Sequence, residues 1–189
     1  MRIALVRHGP TLWNVQGRIQ GKTDIALSDD GAAQMARLRL PRNFSYARAF
    51  VSPLQRARQT AALLGIENPV IDARLAEHDW GRWEGLTREE ILARDGPDAL
   101  SYSGLELHPP GGESMRDFIA RVTAFLRDAA AGEGDAVAVT HRGVMRAAYV
   151  IATGWNMATP MPPELDLSKI LVLDGTLAIA TLNVPLEAR

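Results

Sequence analysis

The sequence predicts an α/β protein with a mostly parallel central sheet covered by helices on both faces. Three short apolar runs with strand character lie at residues 2–6, 47–51 and 135–140. Helical patterns separate and follow these runs, and strands that alternate with helices are typical of βαβ units. Because such units join parallel strands through right-handed crossovers, we expect a three-layer α/β/α sandwich.

The composition is that of an ordinary globular protein. The 189 residues are 47% hydrophobic and 23% charged, and the formal net charge is -1. This length favours one domain, residues 1–189, which would bury roughly 70% of the surface of its unfolded chain. The sequence contains no cysteine, so it offers neither a disulfide nor a thiolate nucleophile. It has no signal-peptide core, membrane span or basic cluster, so we expect a cytoplasmic protein with no membrane or nucleic-acid partner.

The first predicted strand is followed at once by residues suited to anion chemistry. Residues 3–6 form an apolar run that ends at Arg7, which is typical of a short strand buried on both faces. His8 would then project from the carboxyl end of the strand, where ligands collect in open α/β sheets. Gly9 lets backbone amides approach an anion closely.

The second strand leads into a helix with a strong start signal. We expect Ser52 as the N-cap, Pro53 at the first helical position and Gln55 as the partner that closes a capping box. Arg56 then falls in the first turn of the helix. Unpaired N–H groups and the positive end of the helix dipole favour an anion at that position.

Three further helices are predicted, each from its own signal. Thr87 and Glu90 have the spacing of a capping box. From about Glu113 onward, apolar residues recur at three-and-four spacing on one helix face, which is the pattern of a core-facing helix. Residues 142–151 repeat that pattern and should pack back onto the sheet.

The carboxyl-terminal region predicts a hairpin. Residues 169–173 and 177–182 have strand character, and the turn signal Asp174-Gly175 lies between them. We expect this pair at the edge of the sheet.

Several polar residues share one kind of position. His8, Arg56 and His141 each lie where a strand or loop meets a helix, and residues 77–84 supply carboxylates. Guanidinium groups stabilise the charge on transferring phosphoryl oxygens, and a neutral imidazole is a suitable nucleophile. The sequence therefore predicts phosphate chemistry, and the lack of clustered aspartates favours a site without a metal or other cofactor.

These residues lie in segments that resemble a single family. The segments are RHG at 7–9, WNVQGRIQG at 13–21, SPLQRARQTA at 52–61, LAEHDWGRWEGLT at 75–87, PGGES at 110–114 and THRGVMRA at 140–147. With these motifs in this order, the chain resembles the histidine phosphatases of the phosphoglycerate mutase-like superfamily, and specifically their phosphatase branch. The fold that this resemblance implies is the three-layer sandwich predicted above.

The resemblance implies a role for each matched position. It gives five catalytic residues: Arg7, His8, Arg56, Glu77 and His141. Among them, His8 is the nucleophile that forms a phosphohistidine, Glu77 is the proton donor, and the other three surround the phosphoryl group. Asn14 and Gln20 match residues that bind the phosphate or neighbouring atoms of the substrate.

The loop around the proposed acid leaves alternatives open. Asp79 and Glu84 compete with Glu77 for the acid role, because one loop carries all three carboxylates. Trp80 and Trp83 either wall the pocket or anchor the loop by packing.

Two histidines and one arginine require separate interpretations. We interpret His78 as a solvated loop residue and His108 as a surface residue. Arg142 stands where many relatives have glycine, and it is a further candidate for substrate binding. It either binds a carboxylate or second phosphate of the substrate or turns outward to solvent, and the outward orientation is the one we favour.

The predicted function is that of a metal-independent phosphomonoesterase acting on a small phosphorylated metabolite. The main alternative is a phosphoglycerate mutase, an isomerase that uses the same phosphohistidine. Such mutases usually carry extra segments that close the site, and this chain is short by comparison. A non-catalytic phosphate-binding module would have lost at least one of the five catalytic residues, and the sequence retains them all. The natural substrate and the oligomeric state do not follow from the sequence.

Overall fold

The computed structural model describes residues 1–44, 47–100 and 104–189. The main sheet contains six strands: β1 (Arg2–Arg7), β3 (Arg48–Val51), β4 (Val70–Ile71), β5 (Ala136–Thr140), β6 (Ile170–Asp174) and β7 (Ile179–Val184). Their order is β4-β3-β5-β1-β6-β7. The first four strands in this order are parallel, while β6 and β7 pair antiparallel. The mostly parallel sheet that the sequence predicts is confirmed.

Helices cover both faces of this sheet. The helices are α1 (Leu12–Val15), α2 (Asp29–Ala36), α3 (Gln55–Leu63), α4 (Arg88–Asp95), α5 (Met115–Ala131) and α6 (Arg142–Thr153). Buried residues of α5 and α6 form one core cluster with the sheet, and buried residues of α2 and α3 form a second cluster. The three-layer sandwich is therefore confirmed. No helix in the described part of the chain is both long and apolar enough to cross a membrane.

The two cores meet the sheet through alternate residues of the same strands. In β1, Ile3 and Leu5 belong to the cluster under α5 and α6, whereas Ala4 and Val6 belong to the cluster under α2 and α3. Successive side chains of a strand point to opposite faces, so a strand covered on both sides must be apolar throughout. This requirement explains the uninterrupted apolar run before Arg7.

The predicted hairpin is confirmed as β6 and β7, with β7 at the edge of the sheet. A further short pair, β2 (Leu38–Arg39) and β8 (Glu187–Ala188), forms a separate two-stranded sheet. The capping box of Thr87 and Glu90 is present at the start of α4. Helix α5 begins at Met115, slightly later than predicted, with the Ser114 side chain as its cap.

The predicted capping box at α3 is wrong. This helix begins at Gln55, and Leu54 occupies the N-cap position without a side-chain hydrogen bond. The Ser52 hydroxyl lies 2.6 Å from Nε2 of His141 instead. Since Ser52 directly follows β3, its side chain remains at the end of the sheet and does not reach the helix.

The sheet register brings the strand ends together. Arg7 of β1 lies opposite Thr140 of β5, and Val51 of β3 lies opposite Val139 of the same strand. The residues that follow these strands are His8, Ser52 and His141. They therefore meet at one edge of the sheet, although their positions in the chain are far apart.

Candidate active site

A cleft of about 420 Å³ lies at the carboxyl ends of the parallel strands. Seven of the eight site residues predicted from the sequence line it: Arg7, His8, Asn14, Gln20, Arg56, Glu77 and Arg142. The eighth, His141, is fully buried beside the cleft, with its ring centroid 5.1 Å from that of His8. The structure thus brings all of these residues into one neighbourhood.

His8 presents one ring nitrogen for chemistry. Its Nδ1 lies 2.7 Å from the carbonyl oxygen of Gly9, and because a carbonyl only accepts hydrogen bonds, Nδ1 must carry the proton. Burial lowers the pKa of His8 to about 3, and the charge of Arg56 contributes to the shift. The imidazole is therefore neutral near neutral pH, with the lone pair on Nε2.

Gly9 is required for packing. Its amide donates to Oγ1 of Thr60 at 2.9 Å, so this N–H is already satisfied within the protein. A Cβ atom at Gly9 would lie 2.5 Å from Cγ of Met35, a distance that forces a shift. The amide of Gly9 itself is therefore not available to an anion.

Ser52 lies within hydrogen-bond distance of His141. The buried Ser52 Oγ accepts a hydrogen bond from the amide of Leu54 at 3.3 Å and lies 2.6 Å from Nε2 of His141. A hydroxyl both donates and accepts, so this contact is compatible with either tautomer of the ring. Nδ1 of His141 is buried and has no partner among the described residues. Burial holds the pKa of His141 well below its usual value, so the ring stays neutral.

Two arginines supply positive charge to the cleft. Arg56 is fully buried and donates to the carbonyl oxygens of Thr23 at 2.9 Å and Gly21 at 2.7 Å. Its Nε, like that of Arg7, is buried and unpartnered within the described residues. Burial is the largest cause that lowers the pKa of both arginines. Such incompletely bonded guanidinium groups are suited to an incoming anion.

The carboxylate of Glu77 is held by two backbone amides. Its Oε1 accepts from the amide of His78 at 2.9 Å, and its Oε2 accepts from the amide of Gly143 at 3.1 Å. Gly143 lies in the first turn of α6, where amides have no partner within the helix. The helix start therefore fixes this carboxylate in the cleft.

The two competing carboxylates support the loop structure. Glu84 accepts from the amides of Lys22, Thr23 and Trp80 at 2.8, 2.7 and 3.1 Å. Asp79 accepts from the amide of Gly81 and pairs with the Lys22 ammonium at 3.5 Å. Neither carboxylate lines the cleft, whereas Glu77 does.

The two predicted binding amides also face the cleft. Oδ1 of Asn14 accepts from the amide of Thr11 at 3.0 Å as part of the cap of α1, which leaves its NH₂ group for a ligand. Oε1 of Gln20 is buried without a hydrogen-bond partner among the described residues.

The interpretation of His78 as a solvated residue is wrong. Its side chain is 1% exposed and packs against Trp80 and Phe118, with ring centroids 5.1 and 5.0 Å away. Its Nε2 donates to the carbonyl oxygen of Glu113 at 2.7 Å. No sequence signal identified this burial, because it depends on an aromatic side chain from α5. His108, by contrast, is exposed as expected.

The two loop tryptophans have different roles. Trp80 lines the cleft. Trp83 is 4% exposed, and its Nε1 donates to Oδ2 of Asp95 at 2.7 Å, so it anchors the loop to α4. Trp80 thus forms part of the cleft wall, and Trp83 anchors the loop.

Arg142 is exposed and at the same time lines the cleft. The favoured outward orientation therefore describes only part of its environment. Arg146, one turn later in α6, also lines the cleft and was missed by the sequence analysis. Its four-residue spacing from Arg142 on a predicted helix was the available signal.

Comparison with known proteins identifies the family. The model of the histidine phosphatase superfamily (branch 1) matches residues 3–183. The chain belongs to this superfamily.

Two curated relatives of this protein are named 2,3-bisphosphoglycerate-dependent phosphoglycerate mutase. The protein from Methylobacterium radiotolerans is 36% identical over 182 residues, which cover 87% of this chain and 84% of the relative. The protein from Azorhizobium caulinodans is 32% identical over 135 residues, and the chain spans 66% of its length.

A solved structure of a phosphatase is also similar. The mycobacterial glucosyl-3-phosphoglycerate phosphatase, in complex with VO3, matches with a TM-score of 0.79 and 28% identity. The match covers 97% of this chain and 98% of that protein. The superfamily therefore includes both mutases and phosphatases among the proteins similar to this one.

Proposed function

We propose that the chain is a phosphomonoesterase that hydrolyses a small phosphorylated metabolite through a phosphohistidine on His8. The observation that carries this proposal is the state of His8, a neutral imidazole whose Nδ1–H is bound to Gly9. Its Nε2 lone pair lies in a cleft that Arg7 and Arg56 also line. A neutral nucleophile beside fixed positive charge is what attack on a phosphate dianion requires.

In the first step, Nε2 of His8 attacks phosphorus while the bond from phosphorus to the ester oxygen breaks. Arg7, Arg56 and the N–H group of His141 stabilise the equatorial oxygens. Glu77 gives its proton to the departing oxygen, which leaves as an alcohol. The carbonyl of Gly9 keeps its hydrogen bond to Nδ1–H and stabilises the positive charge that the phosphorylated ring acquires.

In the second step, a water molecule attacks the phosphohistidine. Glu77, now ionised, takes a proton from this water, and the bond from phosphorus to Nε2 breaks. Inorganic phosphate leaves, and both His8 and Glu77 return to their starting states. The scheme uses no metal ion or other cofactor.

A phosphoglycerate mutase is the second candidate, because two curated relatives carry that name. A mutase must retain its intermediate and exclude water from the phosphohistidine. Gly17 and Arg142 line the cleft and are themselves exposed to solvent, so water has access. This access favours hydrolysis over transfer.

Phosphate release from a panel of phosphorylated metabolites tests the proposal. We expect release from at least one compound in the presence of a chelator and without a bisphosphorylated primer, and none from the His8→Ala protein. Activity that needs the primer would identify a mutase, and loss on chelation would contradict the cofactor-free scheme. Phosphate binding without turnover of any compound would favour a binding module.

A further inference from the structure

Arg121 connects α5 to the loop that carries the proposed acid. Its Nη1 donates to the carbonyl oxygens of Arg74 at 2.7 Å and Ala76 at 2.8 Å, and its Nη2 donates to that of Glu77 at 2.9 Å. Nε and Nη2 also donate to the carboxylate of Glu113, at 2.7 and 2.9 Å. A guanidinium group has five N–H groups, so every one of them is used. The side chain of Arg121 is therefore fixed, and the loop is fixed to it.

The surroundings of Arg121 keep this arrangement rigid. The side chains of Arg121 and Glu113 are 18% and 14% exposed, so their ion pair is largely withdrawn from water. The guanidinium carbon also lies 4.7 Å from the ring centroid of Phe118, which is fully buried in the core. A buried ion pair often contributes little net stability, because the cost of desolvation offsets the attraction. The groups that the pair holds in place are therefore the better indication of its role.

Glu113 extends this support to the other side of Glu77. Its amide donates to the carbonyl oxygen of Asp79 at 3.0 Å, and its carbonyl oxygen accepts from Nε2 of His78 at 2.7 Å. The amide of His78 in turn donates to Oε1 of Glu77 at 2.9 Å. Arg121 therefore binds the chain up to Glu77 directly and the two following residues through Glu113.

These contacts determine where the Glu77 carboxylate lies. One of its oxygens accepts from the loop itself, through the amide of His78, and the other accepts from the amide of Gly143 in α6. A shift of the loop by about 1 Å would break the bond to α6 and move the carboxyl group away from the leaving oxygen. Misplacement on that scale can cost on the order of a hundredfold in rate. Arg121 and Glu113 themselves do not line the cleft.

We propose that Arg121, held by Glu113, is a positioning residue for proton transfer by Glu77. It contacts no substrate, and it acts by holding residues 74–79 where the carboxyl group of Glu77 lies beside the leaving oxygen. This inference rests on the proposed function and deepens it, because hydrolysis of alkyl phosphates then depends on a buried arginine outside the cleft.

Arg121→Lys tests the geometry of the guanidinium separately from its charge. Burial is the main cause that lowers the pKa of His141, and the charge of Arg121 contributes, so a variant that keeps the charge keeps this effect. The three N–H groups of an ammonium cannot reproduce the planar set of five donors. We expect kcat for glycerol 3-phosphate to fall about tenfold or more, with little change in KM. Phenyl phosphate, whose phenolate leaves without a proton, should lose less than about threefold.

Two control variants separate positioning from general effects. Arg116→Gln removes an exposed ion pair with Glu106 on the same helix and should leave both rates unaltered. Val172→Ala creates a cavity in the core cluster on the other face of the sheet. It should lower stability in urea unfolding but leave the ratio of the two rates at the parent value. An unchanged ratio in Arg121→Lys, whether both rates fall or neither does, would overturn the positioning role.

Glu113→Gln carries the same measurement if Arg121→Lys does not fold. The amide keeps the shape of the Glu113 side chain but leaves only one oxygen to accept from Arg121. We expect the ratio of the two rates to shift about threefold or more against glycerol 3-phosphate. The parent ratio in this variant would equally overturn the positioning role.

Hydrogen exchange gives a readout that does not depend on activity. If the parent protein hydrolyses no compound, the proposed function fails, and exchange at the amides of His78 and Gly143 tests the positioning role. Exchange that becomes faster at these two amides than elsewhere in Arg121→Lys or Glu113→Gln would support it. Exchange that stays unchanged, or that becomes faster throughout the chain, would refute it.

Discussion

Glu77 is the residue whose replacement tests the acid role most directly. We expect Glu77→Gln to lower kcat for glycerol 3-phosphate by roughly a hundredfold to ten-thousandfold, because an alkoxide needs a proton to leave. Phenyl phosphate should lose far less, since a phenolate with a pKa of about 10 leaves without that help. Steady-state kinetics on the two esters measures the difference.

Asp79→Asn is the control for this prediction, because Asp79 belongs to the same loop and pairs with Lys22 outside the cleft. It should change the two rates by similar, small factors. Equal losses on both esters in Glu77→Gln would remove Glu77 from the acid role.

Ser52 offers a second test at the level of one atom. In Ser52→Ala, Nε2 of His141 loses its hydroxyl partner, so the orientation of the ring is no longer fixed by that contact. We expect kcat to fall about tenfold or more with little change in KM, because a misoriented His141 stabilises the transition state less well. Ser28→Ala is the matched control: it removes the N-cap of α2, costs about 1 kcal/mol of stability and should leave kcat unaltered. A folded Ser52→Ala protein with full kcat would refute the positioning role.

At the level of elements, the start of α6 connects backbone structure to the acid. A Cβ atom at Gly143 would lie 2.1 Å from Oε1 of Glu77. The clashing atom is the end of a flexible side chain, so the carboxylate is expected to swing away while the helix remains intact. Alanine also favours a helix over glycine by about 1 kcal/mol.

Gly143→Ala should therefore separate activity from stability. We expect a free energy of unfolding within about 1 kcal/mol of the parent value and a loss of at least about tenfold in kcat for alkyl phosphates. Denaturant unfolding and kinetics on the two ester types provide the measurements. A variant that unfolds readily, or that retains full alkyl phosphatase activity, would show that Gly143 does not position Glu77.

Four of the helices and five strands of the main sheet were predictable from local pattern, whereas α1, α2 and the short strands β2, β4 and β8 were not predicted. The apolar run before Arg7 had to be a doubly buried strand, and the capping box at Thr87 did start α4. The capping box predicted at Ser52 is absent, because the Ser52 hydroxyl lies at the end of the sheet against His141. His141 is 89 residues away from Ser52 in the chain, so the local sequence pattern around Ser52 contains no information about this contact.

The site residues that belong to sequence motifs were predictable. Those whose environment depends on packing between distant segments were not. The grouping of His8, Arg56 and Glu77 followed from motif resemblance and from their positions next to strands and helix starts. The burial of His78 and the orientation of Arg146 depend on Phe118 and Trp155, which reach them from other segments. Side-chain contacts of that kind arise only when the segments pack.

At the level of the whole molecule, three buried histidines connect folding to pH. Burial lowers the pKa of His8 to about 3, lowers that of His78 and holds that of His141 far below normal. In the unfolded chain each histidine binds a proton below a pH of about 6.5. Unfolding therefore takes up protons between that pH and the folded-state pKa values, so stability is highest above this window and is lost as pH falls through it.

We expect the free energy of unfolding to rise with pH from 5.5 to 6.5, by up to about 1.4 kcal/mol per pH unit for each buried histidine. Urea unfolding at several pH values measures the slope. His8→Ala should reduce the slope by about one proton, whereas His108→Gln, a change at an exposed site, should not. Stability that is constant or falls with pH in this range would contradict the prediction.

Glu84 connects the loop at Lys22 and Thr23 to the loop at Trp80 through hydrogen bonds. Its carboxylate binds the amides of Lys22 and Thr23 on one loop and that of Trp80 on the other. These three amides exchange their hydrogens with solvent only when their hydrogen bonds to the Glu84 carboxylate break. We therefore expect hydrogen exchange at all three to report one opening event with a common free energy. The two loops should therefore open together. We expect a ligand that contacts one loop to slow hydrogen exchange in the other loop as well.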